Sequence, residues 1–197
     1  MGRRRQGVGI HRGVRLQLFI LLLAFSAAAA ATGPYNTTSD GVDTRLMLRG
    51  HDPVAYFTLG KSTIGDPAIK SDFDGVTYRF VSEDNRFAFM KNPYKYVPAF
   101  GGFCANSMVY AIPWGGEPDT WKIIDGRLHI FGGEWPRRYF LMDEDNNVRL
   151  AQRYWKSEVE GSIAVVQRAK RLTLHVPHYK SDKDLANAWK AMTGEAQ

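Results

Sequence analysis

Two stretches of this chain alternate apolar and polar residues on either side of an Asp-Gly pair. The first spans Ile69–Phe80 around Asp74-Gly75, and the second spans Trp121–Phe131 around Asp125-Gly126. Alternation with a period of two is typical of a β-strand that has one buried face. Asp-Gly favours a tight turn, because both residues tolerate a positive φ. The pattern therefore predicts two β-hairpins.

A helix is predicted directly after the first hairpin. Ser82 suits the N-cap, and Asn92-Pro93 ends the helix because proline cannot continue it. Three residues between these signals form an apolar face: Phe87, Ala88 and Met90.

Aromatic residues on these apolar faces predict the core. We expect Phe80 of the first hairpin, Phe87 of the helix and Trp121 of the second hairpin to lie in one hydrophobic core. The apolar run Val54–Phe57 predicts a further short strand.

The last third of the chain has helical spacing. One apolar face comprises Val148, Ala151, Tyr154 and Trp155. Capping boxes at Ser157–Glu160 and Ser181–Asp184 predict two helix starts. Apolar residues follow the second box at helical spacing: Leu185, Ala188, Trp189 and Met192. Together the elements predict an α+β fold, a small single domain with two β-hairpins and C-terminal helices packed over them.

Residues 1–31 have the three parts of a secretory signal peptide. A positive segment ends at Arg15, the apolar run Leu18–Phe25 follows, and small residues fill Ser26–Ala31. The alternative is an uncleaved anchor, but a bilayer span takes about 20 apolar residues and Leu16–Ala31 is shorter. We therefore expect cleavage after Ala30 or Ala31, a periplasmic or secreted protein, and no stable membrane span after cleavage.

The charge distribution argues against a nucleic-acid partner. The chain carries a formal net charge of +6, but five of its 26 basic residues lie in the leader, which has no acidic residue. The remainder is close to neutral and has no electrostatic footprint for a polyanion. Residues 32–45 are small and polar, which is typical of a flexible tether before a folded domain.

Several ordered blocks of this sequence resemble the exported YHS-domain proteins. The first is Gly50–Phe57, which contains an Asp-Pro-Val-Ala-Tyr-Phe run, and the second is Asp74–Phe80, leading through Ser82 to Phe89 and Pro93. The other blocks are Tyr96–Ala105, Trp121–Leu128 and Gln152–Trp155. The resemblance assigns residues 46–172 to a YHS-like domain, with an apparent insertion at residues 132–147. Residues 173–197 then form a C-terminal helical extension.

What the resemblance implies is binding of a metal, because YHS domains occur in copper-transporting ATPases and other metal-linked proteins. The metal-linked members carry cysteine at two positions that correspond here to Ala55 and Val81. Neither side chain is a metal ligand, so the family's thiolate pair is absent from this chain.

Cys104 is the only cysteine, so the chain has no internal disulfide. A thiolate with imidazoles suits copper or zinc. His51 and His129 stand where related exported proteins favour tyrosine. We therefore predict a copper or zinc site formed by His51, Cys104 and His129, with copper favoured and Met108 as a candidate axial ligand. The alternative is that Cys104 is a small buried apolar residue.

Two other functions remain open. The aromatic residues suit a hydrophobic core or the wall of a pocket for an apolar ligand or haem: Tyr56, Phe57, Tyr78, Phe80, Phe87, Phe100 and Phe103. This is a small-molecule or protein-interaction module without metal. The third hypothesis is a thiol enzyme in which His51 or His129 activates Cys104. The sequence carries no local signature for catalysis, so binding is favoured over an enzyme.

Overall fold

Six strands follow the order of the predicted hairpins in the computed structural model, which describes residues 1–2 and 34–195. They are β1 (Thr37–Thr38), β2 (Leu46–Met47), β3 (Asp66–Phe73), β4 (Val76–Phe80), β5 (Glu117–Ile124) and β6 (Arg127–Phe131). One sheet has the order β1-β2-β4-β3, and β5 pairs with β6 in a second sheet. Asp74, Gly75, Asp125 and Gly126 all have φ between 50° and 70°. Both predicted hairpins are confirmed.

Helices occupy most of the remaining described residues. They are α1 (Ala55–Thr58), α2 (Glu83–Lys91), α3 (Pro93–Tyr96), α4 (Ala105–Met108), α5 (Glu134–Leu141), α6 (Glu144–Tyr154), α7 (Ala164–Thr173) and α8 (Asp182–Thr193). Leu48–Gly50 and Ala99–Gly102 form 3₁₀ turns, and Trp155–Val159 forms a π-helical turn. The α+β class is confirmed. Within residues 34–195, no helix has the length and apolar character needed to cross a membrane. The predicted signal peptide falls almost entirely outside the described residues.

The segment assigned above to a tether contributes to the first sheet. β1 pairs with β2, and Asp43 is buried. Its carboxylate accepts hydrogen bonds from Arg79 at 2.6 and 2.9 Å and from Lys70 at 2.6 Å. These long-range ion pairs hold residues 37–45 against the sheet, although the segment's composition is that of a linker.

The predicted strand at Val54–Phe57 is wrong, because these residues lead into helix α1. Asp52 lies two residues before Val54 and its Oδ1 accepts hydrogen bonds from the amides of Val54 and Ala55, at 2.7 and 3.3 Å. This local turn starts a short helix, despite the strand propensity of the side chains.

Helix α2 begins and ends as predicted, but its buried face differs. The Ser82 hydroxyl accepts a hydrogen bond from the amide of Asn85, and the helix ends at Asn92. Phe87 and Met90 are 70% and 55% exposed, whereas Phe89 is 1% exposed. The prediction that Phe87 lies in the core is therefore wrong, because Asn85 and Phe89 set the inward direction.

The C-terminal helices follow one predicted capping box and not the other. Ser181 and Asp184 form the reciprocal capping box of α8. At Ser157–Glu160 the chain instead continues from α6 into the π-helical turn. There the Glu158 carboxylate is bound by Gln167, Lys170 and Arg171 of α7. These long-range contacts replace the predicted local cap.

Two adjacent hydrophobic clusters form the core, and strand β6 contributes to both. Leu128 and Ile130 belong to a cluster with Phe80 and Phe89, against which Trp121 packs. Phe131 belongs to the other cluster, where its ring lies 5.4 Å from that of Phe140. Phe140 lies within residues 132–147, so the segment that the resemblance treats as an insertion supplies a core residue.

Candidate functional site

His51 directly follows the Leu48–Gly50 turn. Its Nδ1 is 2.8 Å from the carbonyl oxygen of Leu48, and its Nε2 is 3.9 Å from Oδ1 of Asp119. The backbone of His51 also forms a bridge with Ile64. The imidazole is thus placed by the Leu48–Gly50 turn.

Cys104 is buried in the cluster that contains Phe131. Its amide donates to the carbonyl oxygen of Trp114 at 2.9 Å, and its backbone bridges Ile130. The side chain is 3% exposed, and burial raises the pKa of the thiol. Met108, the candidate axial ligand, is fully buried in the same cluster. The geometry is that of a thiol enclosed among apolar groups.

His129 lies on β6 next to two aromatic side chains. Its imidazole contacts Phe100 and Phe140, with ring centroids 5.5 and 6.3 Å away. Among residues 1–2 and 34–195, no group of three or more His, Cys, Asp or Glu side chains is arranged to hold a metal ion. The hydrophobic cluster that contains Cys104 also contains Phe100 and Phe140, the two rings beside His129, whereas His51 is bonded to the Leu48–Gly50 turn. The metal site and the thiol-enzyme hypothesis stay predictions.

Cys104 is expected to react with iodoacetamide at pH 8 at least about 10-fold more slowly in the folded protein than in denaturant. Burial excludes the reagent, and a raised pKa leaves less of the reactive thiolate at any given pH. Mass spectrometry of the alkylated fraction over time measures both rates. Equal rates in the two conditions would show that the thiol is accessible.

Beside His129 the structure has a cleft of about 590 Å³. It lies between the Ala99–Gly102 turn, the β5–β6 turn, helix α6 and the π-helical turn. This volume falls within the range of about 300–1,000 Å³ that is usual for small-molecule sites. Cys104 does not line it, whereas His129 does. The cleft is therefore separate from the buried thiol.

The wall next to His129 depends on an unusual backbone turn. Phe100 has φ 55°, a left-handed value that is uncommon for a bulky residue. A side chain at the following Gly101 would place its Cβ 2.6 Å from the carbonyl oxygen of Pro34. The Asn36 amide donates to the carbonyl oxygen of Gly101 at 2.8 Å and steadies the turn. The strained turn directs Phe100 to the cleft, and such strain often accompanies functional sites.

Trp155 forms a second aromatic wall. Its ring centroid lies 6.1 Å from that of Phe100. Trp155 is the first residue of the π-helical turn, and single π turns inside helices are frequently found at functional sites. The turn also carries Lys156 to the rim of the cleft.

Four cationic side chains surround the cleft: Arg127, Arg149, Arg153 and Lys156. All four are exposed, and none forms an ion pair within the described part of the chain. Asp125 and Glu160 are the two carboxylates that line the cleft, so cations exceed carboxylates there by two. Several arginines elsewhere in the described chain pair with carboxylates, as at Arg49, Arg79, Arg137 and Arg171. The local excess of unpaired positive charge favours an anionic ligand.

Sequence reasoning singled out His129 but missed these cations. Arg149, Arg153 and Lys156 recur at intervals of four and three residues, which places them on one helical face. This spacing is the sequence pattern that could have predicted a cationic helix face. Arg127 could not be added to the set without knowing how β6 packs against α6.

The comparisons with protein-family models, with curated proteins and with solved structures found no match.

Proposed function

We propose that this chain is an exported YHS-like domain that binds a small anionic molecule with an aromatic or apolar body in the cleft beside His129. One observation carries the proposal: four cations without carboxylate partners surround a cleft that has aromatic walls. An anion at this rim gains charge-assisted hydrogen bonds, and its apolar body is removed from water against Phe100 and Trp155.

Binding is favoured over catalysis by the position of the reactive groups. Cys104 is enclosed in the core, and burial raises the pKa of its thiol, so the nucleophilic thiolate is disfavoured. The two positions that carry cysteine in metal-linked YHS domains have structural roles in this chain. Ala55 is fully buried in α1, and the Val81 amide donates to the Asp52 carboxylate at 2.9 Å.

A double variant tests the proposed function. Replacing Arg149 and Lys156 by glutamine is expected to weaken binding of a naphthalene sulfonate about 10-fold or more. Each lost charge-assisted hydrogen bond is worth about 1.5–3 kcal/mol, and about 1.4 kcal/mol corresponds to a factor of ten. Quenching of tryptophan fluorescence or probe anisotropy measures the dissociation constant. Added salt is expected to weaken binding to the unmodified protein, because the cations are exposed.

The matched control changes the net charge equally but away from the cleft. Lys183 and Lys190 are exposed on α8 and do not line the cleft. The variant Lys183→Gln with Lys190→Gln is expected to bind the probe as the unmodified protein does. Equal weakening by both double variants would show that only the net charge matters and would contradict a site in the cleft.

A further inference from the structure

The hydrogen bonding of His129 fixes which ring nitrogen is available to a ligand. Nδ1 lies 3.0 Å from the carbonyl oxygen of Arg127. A carbonyl oxygen only accepts, so Nδ1 carries the hydrogen and donates it. In the neutral ring, Nε2 then keeps its lone pair. A backbone carbonyl in this role is the usual way in which a protein orients an imidazole that binds a metal.

Nε2 has no hydrogen-bond partner among residues 34–195, and His129 is one of the residues that line the cleft. The fully buried polar side-chain atoms without a partner in this part of the chain are Ser62 Oγ, Arg168 Nε and Trp189 Nε1. His129 as a whole is buried, and it is the imidazole among the cleft-lining residues. Its Nε2 lone pair is therefore not used by any donor in the described part of the chain.

The imidazole offers this lone pair instead of a positive charge. In the neutral ring whose Nδ1–H donates to the Arg127 carbonyl, Nε2 carries a lone pair and no hydrogen. A neutral ring adds nothing to the attraction of an anion, so the cations at the rim account for that. What His129 adds to the cleft is a nitrogen donor for a metal, next to the rings of Phe100 and Phe140.

These features together describe a flat aromatic ligand that has a metal at its centre and carboxylates at its edge. We propose that the cleft binds an iron porphyrin, with His129 Nε2 as an axial ligand of the iron. Phe100 and Trp155 contact the macrocycle, and Arg149, Arg153 and Lys156 bind its carboxylates. Histidine is a common axial ligand of haem iron. The bond is a donation of the Nε2 lone pair to the metal, with no electron transfer and no proton released. This inference rests on the proposed function and names its ligand class.

Ferric protoporphyrin and metal-free protoporphyrin separate the two proposals. We expect both to bind, because both present the same aromatic body and carboxylates. His129→Ala is expected to weaken binding of the iron porphyrin by about 10- to 100-fold, as loss of a metal contact does. It is also expected to abolish the shift of the Soret band. The same variant is expected to bind metal-free porphyrin unchanged, measured by fluorescence. Added imidazole is expected to restore the Soret shift.

His175→Ala is the matched control, because His175 is exposed and stacks on Tyr179 away from the cleft. It is expected to leave the Soret band and both affinities unchanged. Circular dichroism checks folding of each variant, and His129→Gln, which keeps a polar side chain, replaces His129→Ala should the latter unfold.

The other outcomes are decisive. An unchanged Soret band in the His129 variant would overturn axial ligation. Binding of the metal-free porphyrin alone would refute the iron ligand and keep the anion site. Binding of neither porphyrin, together with no binding of the naphthalene sulfonate, would refute both proposals.

Discussion

Replacing Phe89 by alanine is expected to lower the free energy of unfolding by about 3–5 kcal/mol, the usual cost of removing a buried phenylalanine. Phe89 is 1% exposed, and its ring lies 4.7 Å from Tyr78, 5.2 Å from Phe80 and 6.1 Å from Phe73. The truncation removes these contacts and leaves a cavity between α2 and the first hairpin. Urea unfolding followed by circular dichroism measures the change.

Phe87 on the same helix is the matched control. Its side chain is 70% exposed, so Phe87→Ala removes little buried apolar surface. The expected change is within about 0.5 kcal/mol, as is usual for surface substitutions. A comparable loss of stability in both variants would contradict the orientation of α2.

The orientation of α2 shows what the apolar pattern can and cannot predict about a helix. Ser82 and Asn92-Pro93 fix the ends of the helix through local chemistry, and the sequence therefore predicts them. The buried face is decided by contacts with the hairpin and by Asn85, whose side chain donates to Asp52 at 2.6 Å. A polar residue that points inward for a hydrogen bond turns Phe87 outward, and an apolar pattern has no signal for this.

The hairpins were predictable for the same local reason, because Asp-Gly at each turn adopts positive φ whatever packs around it. The tether was misread because the partners of Asp43, which are Lys70 and Arg79, are distant in sequence. Local signals thus determine where elements begin and turn. Ion pairs between distant residues determine which segments join the domain.

Of the residues that form the candidate site, the sequence predicted one, His129. His129 stands out in the sequence as an imidazole on an otherwise apolar strand. The remainder of the cleft comes from three separate segments, around Phe100, around Arg127 and along α6. Their juxtaposition depends on the left-handed turn at Phe100 and on the π-helical turn at Trp155. Neither turn is predicted by a residue pattern in the sequence.

Asp52 of the Asp-Pro-Val-Ala-Tyr-Phe run has a structural role. It is fully buried, and its two carboxylate oxygens serve three segments. Oδ1 accepts from the amides of Val54 and Ala55, and Oδ2 accepts from the Val81 amide at 2.9 Å and from the Asn85 side chain at 2.6 Å. One carboxylate therefore joins α1, the end of β4 and α2.

Asp52→Ala is expected to lower the free energy of unfolding by roughly 3–4 kcal/mol. The substitution leaves the donors of Val54, Val81 and Asn85 without their acceptor, and each unpaired buried donor costs about 1–3 kcal/mol without full additivity. Asp66→Ala is the matched control, since Asp66 is exposed and accepts one local hydrogen bond, from the Ala68 amide at 2.8 Å. Its expected cost is at most about 1 kcal/mol. Urea unfolding of both variants measures the difference. Equal costs would mean that Asp52 acts only as a local turn residue, and the three segments would then be held together by apolar packing alone.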